Sequence, residues 1–236
     1  MKWLVATVTK TIPETATAVT MRLDIPDWPG HRAGQHVDVR LTAEDGYQAQ
    51  RSYSIASAPG SERLELTVVR IDDGEVSPYL ASDLDVGDQI ELRGPIGGYF
   101  VWDGDDDRPA LLAGGGSGVV PLMSMLRHHG AIGSDAAMRL VYSARTASDV
   151  LYREELAKIV DDVTITLTRE PSSEWSGRRG RVDSSLLAEA GWPPSEHPRC
   201  FVCGPTPFVE SVANVLVDMG HDAHDVKTER FGPTGG

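Results

Sequence analysis

Two cysteines, Cys200 and Cys203, in 236 residues are too few for a disulfide framework or for a four-cysteine iron–sulfur cluster. Basic residues are also scarce. Twenty-two Lys and Arg face 35 Asp and Glu, for a net charge of −13. The long-range field therefore repels phosphate, which disfavours nonspecific binding to nucleic acid or to an anionic membrane. No apolar run reaches the roughly 18 residues of a membrane span. The longest candidate, Leu111 to Leu126, is interrupted by Gly114-Gly115-Gly116-Ser117-Gly118. Met1 to Lys10 has no apolar stretch long enough for a signal peptide, so the chain is expected to be soluble and cytoplasmic. What remains is ordinary globular composition, 40% apolar and 24% charged, enough for a real core.

The apolar pattern changes period along the chain. In the first hundred residues Met21, Leu23 and Ile25 alternate with polar neighbours, as do Val37, Val39 and Leu41, and Leu64, Leu66 and Val68. Period two predicts strands with one buried face. Pro29-Gly30, Asp45-Gly46, Pro59-Gly60 and Asp73-Gly74 separate them as turns. Many short strands at this spacing predict an antiparallel barrel or sandwich. Beyond the acidic run around Asp105, short apolar strands alternate with helices. Strands are expected at 109–113, 139–143, 163–168, 199–202 and 226–228, and helices at 120–129, 147–159, 184–190 and 207–219. That alternation predicts a parallel sheet covered on both faces. The domains are expected at 1–104 and 105–236.

Leu111 to Pro121 is the most informative stretch: an apolar strand, a glycine turn, then a helix with proline in its first turn. Glycines let a pyrophosphate approach the backbone, and a helix N-terminus supplies free N–H groups and a positive dipole end. Two weaker segments lie in the first half. Arg51-Ser52-Tyr53-Ser54 could stack an aromatic on a flat ring and bond its edge, or be an ordinary alternating strand. Gly74 to Leu80 could be a phosphate loop, or only a turn and a helix cap. The seven histidines form no ligand cluster, and no metal site is expected. Cys200 and Cys203 lie three apart in an apparent strand, facing opposite sides, which argues against a redox dithiol.

Together and in this order, the segments resemble the ferredoxin–NADP reductase superfamily of two-domain flavoprotein reductases. Arg51-Ser52-Tyr53-Ser54 is similar to its flavin motif. Gly74-Glu75-Val76-Ser77, preceded by Arg70, resembles its diphosphate segment, and Gly94 to Phe100 its Gly-Pro-x-Gly-x-Phe segment. Gly115-Gly116-Ser117-Gly118 to Pro121 resembles its nicotinamide-nucleotide loop. Cys203-Gly204-Pro205 and Glu229-Arg230-Phe231 resemble its two late motifs. The resemblance implies an N-terminal Greek-key β-barrel binding FAD (FMN is not excluded) and a C-terminal α/β parallel-sheet domain binding NAD(P)H, with the site in the cleft between them. It also implies roles. Arg51, Arg70 and the backbone of Gly74, Val76 and Ser77 would hold the flavin pyrophosphate. Tyr53 would pack on the isoalloxazine and Ser54 would bond near flavin N5. Gly115, Gly116, Ser117, Gly118, Pro121, Gly204 and Pro205 would hold the nicotinamide nucleotide. Cys203 would lie beside nicotinamide C4, Glu229 behind it, and Phe231 over the flavin. The chain after Gly232 is expected to be dispensable.

The strand 139–143 leads into Arg145, where an NAD fold usually places an acid on the ribose 2′-OH. Thr168-Arg169 and Arg178 resemble the pair of segments that grip a 2′-phosphate in NADP-using relatives. Two charge-assisted contacts of roughly 1.5–3 kcal/mol each would favour NADPH over NADH by about a hundred- to ten-thousand-fold. The bland alternative is that these arginines pair with surface acids. The resemblance thus implies an FAD-dependent NAD(P)H reductase passing electrons to a separate redox protein, ferredoxin or an oxygenase component, since two cysteines exclude a fused iron–sulfur domain within these residues. The alternatives are a reductase that uses flavin as a diffusible substrate, and a non-catalytic redox-regulatory subunit that binds nucleotides.

Overall fold

A computed structural model of the chain describes residues 1–159, 163–169 and 175–231. Two compact units emerge, Met1–Asp103 with Met123–His128, and Gly104–Leu122 with His129–Gly236.

The first unit is built from β1 (Leu4–Thr15), β2 (Ala18–Asp24), β3 (His36–Thr42), β4 (Gln48–Ser54), β5 (Leu64–Val69) and β6 (Gln89–Ile96). They form one antiparallel sheet in the order β4-β3-β6-β1-β2-β5. An antiparallel bridge from Ile55, just beyond β4, to Leu66 of β5 joins the two edges, so the sheet closes into a barrel. The alternating residues behave as their period demands: Met21, Leu23, Val37, Val39, Leu64, Leu66 and Val68 are buried in one core. A single π-helical turn, Tyr79–Asp83, drops Leu80 into that core. The segment Met123–His128 belongs here because Ser124 Oγ donates to Ser57 O at 2.7 Å and Arg127 pairs with Glu65 at 2.9 Å.

The second unit holds β7 (Ala110–Gly115), β8 (Met138–Ala144), β9 (Val163–Leu167), β10 (Arg178–Arg179), β11 (Arg199–Pro205) and β12 (Val226–Phe231), in the order β10-β9-β8-β7-β11-β12, every neighbouring pair parallel. Helices α1 (Val119–Ile132), α2 (Arg153–Ile159), α3 (Ser184–Ala190) and α4 (Thr206–Asp218) connect them. All six residues of β7 are buried, as the apolar run of a central parallel strand requires. Asp183 caps α3 by accepting from Leu186 N at 2.8 Å, and Gly133, with φ +62°, ends α1. Among the described residues no helix is long and apolar enough to cross a membrane.

Two elements differ from their sequence reading. The helix expected over 147–159 is split into a short 3₁₀ turn, Ala147–Asp149, and α2. Tyr152, at φ +54° and buried, interrupts it, because a left-handed residue cannot continue an α-helix. The last strand, expected at 226–228, continues to Phe231 because its ladder with β11 runs on to the Pro205↔Phe231 pair. The expectation about the tail after Gly232 concerns residues outside those described.

Candidate functional site

In the first unit the flavin-motif residues lie on β4. The ladder pairs Val39 with Arg51, Val37 with Tyr53 and His36 with Ser54, and the alternation buries Ser54 while leaving Arg51 and Tyr53 half-buried. Ser52 Oγ and Arg93 Nη2 each donate to Asp38 at 2.7 Å. Burial alone would raise the Asp38 carboxyl, but the bonds from Arg93 and Ser52 outweigh it and hold it below its usual range. Burial pushes the Tyr53 phenol far up, so it stays protonated. Ser54 is 5% exposed, and its buried hydroxyl has no hydrogen-bond partner among the described residues. A buried hydroxyl left unsatisfied costs about 1–3 kcal/mol, so this group is available to a polar atom of a ligand or an ordered water.

The structure brings the diphosphate segment directly to β4. Arg51 Nη2 donates to Glu75 Oε2 at 2.7 Å, and Arg51 Nη1 to Gln50 O at 2.7 Å. The turn that carries Glu75 is tight: Gly74 N donates to Ile71 O at 2.8 Å, and Ile71 N to Ser77 Oγ at 3.0 Å. A Cβ at Gly74 would come within 2.9 Å of Ser77 Oγ and 3.0 Å of Ile71 O, so the position demands glycine. The N–H groups of Glu75, Val76 and Ser77 have no acceptor among the described residues. Arg70 pairs with Asp72 at 3.0 Å. Tyr47 donates its hydroxyl to Glu75 as well. That bond, and then the one from Arg51, hold the Glu75 carboxyl below its usual range. Sequence reading missed Tyr47 and passed over Glu75 as a spacer. The acid in the middle of a phosphate-loop pattern was the one available signal.

In the second unit the chain order reverses between β7 and β11, so the carboxyl ends of these strands mark the topological switch point where open α/β sheets bind ligands. The glycine loop and Cys203-Gly204-Pro205 meet there, with Cys203 paired to Gly114. The glycines do two different jobs. A Cβ on Gly118 would overlap the Cys203 carbonyl, and one on Gly115 would come within 2.8 Å of the Phe208 ring. Those two serve packing. Gly116, at φ +55°, is exposed and has open space where a Cβ would be. It can approach a pyrophosphate, followed directly by Ser117 and the start of α1. Pro121 sits in the first turn of α1, where its missing N–H costs nothing.

On the other side of the switch point, Cys203 of β11 pairs with Glu229 of β12, and Phe231 sits half-buried opposite Pro205. Burial, and then the Glu229 carboxylate, push the Cys203 thiol well up. Cys200 is pushed up to about 12, mainly by burial. Both cysteines are buried, free and neutral, which leaves no nucleophilic thiolate.

Arg145 and Arg169 follow β8 and β9. The backbone pairing continues past the strand ends, with Thr168 N donating to Ala144 O at 3.0 Å and Arg169 N to Arg145 O at 2.9 Å, which brings the two arginines to the same end of the sheet. Both are exposed, and neither has an ion pair among the described residues. Thr168 Oγ1 donates to Ala144 O at 3.2 Å. Arg178, by contrast, pairs with Glu189 at 2.8 Å, as the bland reading of these arginines has it.

The family description "oxidoreductase FAD-binding domain" matches residues 6–101, and "oxidoreductase NAD-binding domain" matches residues 112–214. The chain is 37% identical over 212 residues to ferredoxin–NADP reductase B of Sorangium cellulosum, covering 84% of each chain. It is 35% identical over 211 residues to the glycine betaine monooxygenase reductase subunit of Chromohalobacter salexigens, covering 86% of this chain and 56% of that one. It spans 56–60% of the length of the first curated relatives that it matches. Among solved structures, the FAD/NAD-binding domain of a nitric oxide dioxygenase from Vibrio cholerae shares the fold with a TM-score of 0.86 at 24% identity, covering 98% of this chain and 99% of that one.

Proposed function

We propose a function from one premise: the chain belongs to the ferredoxin–NADP reductase superfamily of two-domain flavoprotein oxidoreductases. It is an FAD-dependent oxidoreductase that accepts hydride from NADPH, in preference to NADH, and passes electrons to a separate redox protein such as a ferredoxin or an oxygenase component. Residues 1–104 form the flavin part and 105–236 the nucleotide part. The observation that carries this reading is the buried, partnerless Ser54 hydroxyl on the same strand as Tyr53 and Arg51, beside a turn with three unused N–H groups. A ring with a polar edge and a phosphate tail satisfies all of these groups at once.

Bound flavin takes electrons as a pair and releases them singly. Tyr53 supplies a flat, protonated surface for the ring. Ser54 orients its edge, and Arg51 with the backbone of Gly74 to Ser77 holds the phosphates. Gly116, Ser117 and the start of α1 hold the pyrophosphate of the nicotinamide nucleotide. Cys203, neutral and buried, gives the nicotinamide a small apolar wall, with Glu229 beside it and Phe231 as the ring to be displaced. Hydride transfer needs rings in contact and water excluded, not a strong base, which agrees with a neutral thiol at Cys203. The preference for NADPH rests on Arg145 and Arg169, two exposed arginines on neighbouring strand ends with no acid of their own among the described residues. The ferredoxin acceptor draws support from the name of the Sorangium relative.

A second reading, flavin as a diffusible substrate, is favoured by one observation: Arg51 and Arg70 are already paired with acids. The test is an absorbance spectrum of the protein supplemented with FAD, taken before and after anaerobic addition of NADPH or NADH. Bleaching of the flavin band, faster with NADPH, is expected. No bleaching by either nucleotide overturns the assignment.

A further inference from the structure

We propose that Glu75 competes with the flavin phosphates for Arg51, so that this chain holds flavin as an exchangeable ligand rather than a permanent one. The inference rests on the flavin reading above and deepens it. Glu75 follows Gly74 directly, inside the turn whose N–H groups would hold a phosphate on the reading above, and its carboxylate occupies Arg51 Nη2 at 2.7 Å. Tyr47 holds the other carboxylate oxygen, so the acid is tethered in place. Arg70 is likewise taken by Asp72. Around the turn both arginines, Arg51 and Arg70, are thus already matched by a carboxylate, Glu75 and Asp72. A dianionic pyrophosphate therefore enters a site whose positive charge is already balanced, and it meets the Glu75 carboxylate as a like charge at short range.

The opposite role, in which Glu75 aims Arg51 at the phosphate, is less consistent with the geometry. The Arg51 guanidinium already has a tether in the bond from Nη1 to Gln50 O. Glu75 instead uses a donor that the phosphate requires. The pair is partly exposed, with side chains at 30% and 45%, so exchange requires no unfolding.

The experiment titrates the flavin-free full chain with FAD, FMN and riboflavin, following the quenching of flavin fluorescence, for the wild type, Glu75→Gln and Glu75→Ala. Both variants are expected to bind FAD and FMN about five- to tenfold more tightly at low salt, the size of one screened charge interaction. The gain shrinks to about twofold at high salt, where the screening length falls to a few ångströms. Riboflavin, which has no phosphate, binds the wild type and the variants alike. A purely structural effect of Glu75 would instead move riboflavin too and ignore salt. Equal or weaker FAD binding in both variants, with the wild type still binding FAD, overturns the inference and leaves the flavin reading standing. Failure of every form to bind any flavin overturns both.

Discussion

In the barrel unit the arginines proposed for the flavin already have carboxylates: Arg51 holds Glu75 and Arg70 holds Asp72. In the parallel-sheet unit Arg145 and Arg169 have none among the described residues, although the chain carries 35 acids. On the proposed assignment the barrel site exchanges one anion for another, whereas the sheet arginines have no acid partner among the described residues. An exchange gives weak net affinity because a bond is broken for each one made, whereas a guanidinium group that gives up no partner keeps the full worth of a charge-assisted bond to a phosphate. The glycines differ in parallel. Gly74 closes a tight turn, whereas Gly115 and Gly118 let secondary structure pack closely and Gly116 leaves the backbone open.

The sharpest break falls on the sheet unit alone. Gly118→Ala places a methyl group into the Cys203 carbonyl, against backbone that cannot swing away. We expect a loss of about 3 kcal/mol and a fall in melting temperature of about 6–10 °C, read by calorimetry. An unchanged melting temperature would show that the turn relaxes freely. Next, Arg51→Ala removes the guanidinium and leaves Glu75 facing the phosphate alone. FAD affinity should fall about a hundredfold by fluorescence titration. Adding Glu75→Gln should restore part of that loss, and a variant that keeps full affinity would refute the placement of Arg51.

Arg145 and Arg169 are tested by Arg145→Ala with Arg169→Ala. The KM for NADPH should rise about thirtyfold and that for NADH little, since neutralising a phosphate site costs binding only where the phosphate exists. Arg178→Ala should change either value by less than about threefold, because Arg178 is already paired with Glu189. Equal effects on both nucleotides would sink the NADPH preference. Ser54→Ala should slow flavin reduction about tenfold in stopped flow, the worth of one hydrogen bond. An unchanged rate would mean that its hydroxyl meets no ring atom.

The smallest effect concerns acid. The Asp38 carboxyl has a lowered pKa in the folded chain, so its contribution is complete above the unfolded value near 4 and is lost as pH falls through the folded value. Asp38→Asn should therefore cost about 1 kcal/mol at neutral pH and lose less stability than the wild type below pH 4 in denaturant titrations. Parallel acid limbs for the two proteins would remove Asp38 from the account.

Much of the fold was legible because its signals are local. Period two in Met21-x-Leu23 and Val37-x-Val39 reflects alternate sides of a strand, and Ser184–Ala190 is the helix expected from its residues. Tyr152 was not legible, because a left-handed backbone at a bulky residue is set by its surroundings and not by its own preference. The split roles of Gly115, Gly116 and Gly118 were equally hidden, since one letter serves for close packing and for open approach.

Chain order and residue type alone determined the strand-rich first half, the alternating second half and the segments placed at the site, because strand and turn chemistry act over a few residues. Strand pairing decided the rest. Arg51 meets Glu75 across 24 positions, Arg145 lies beside Arg169 because β8 and β9 run parallel, and Cys203 faces Glu229 through the register of β11 and β12. Which acid neutralises which arginine is a long-range contact, and no local period encodes it.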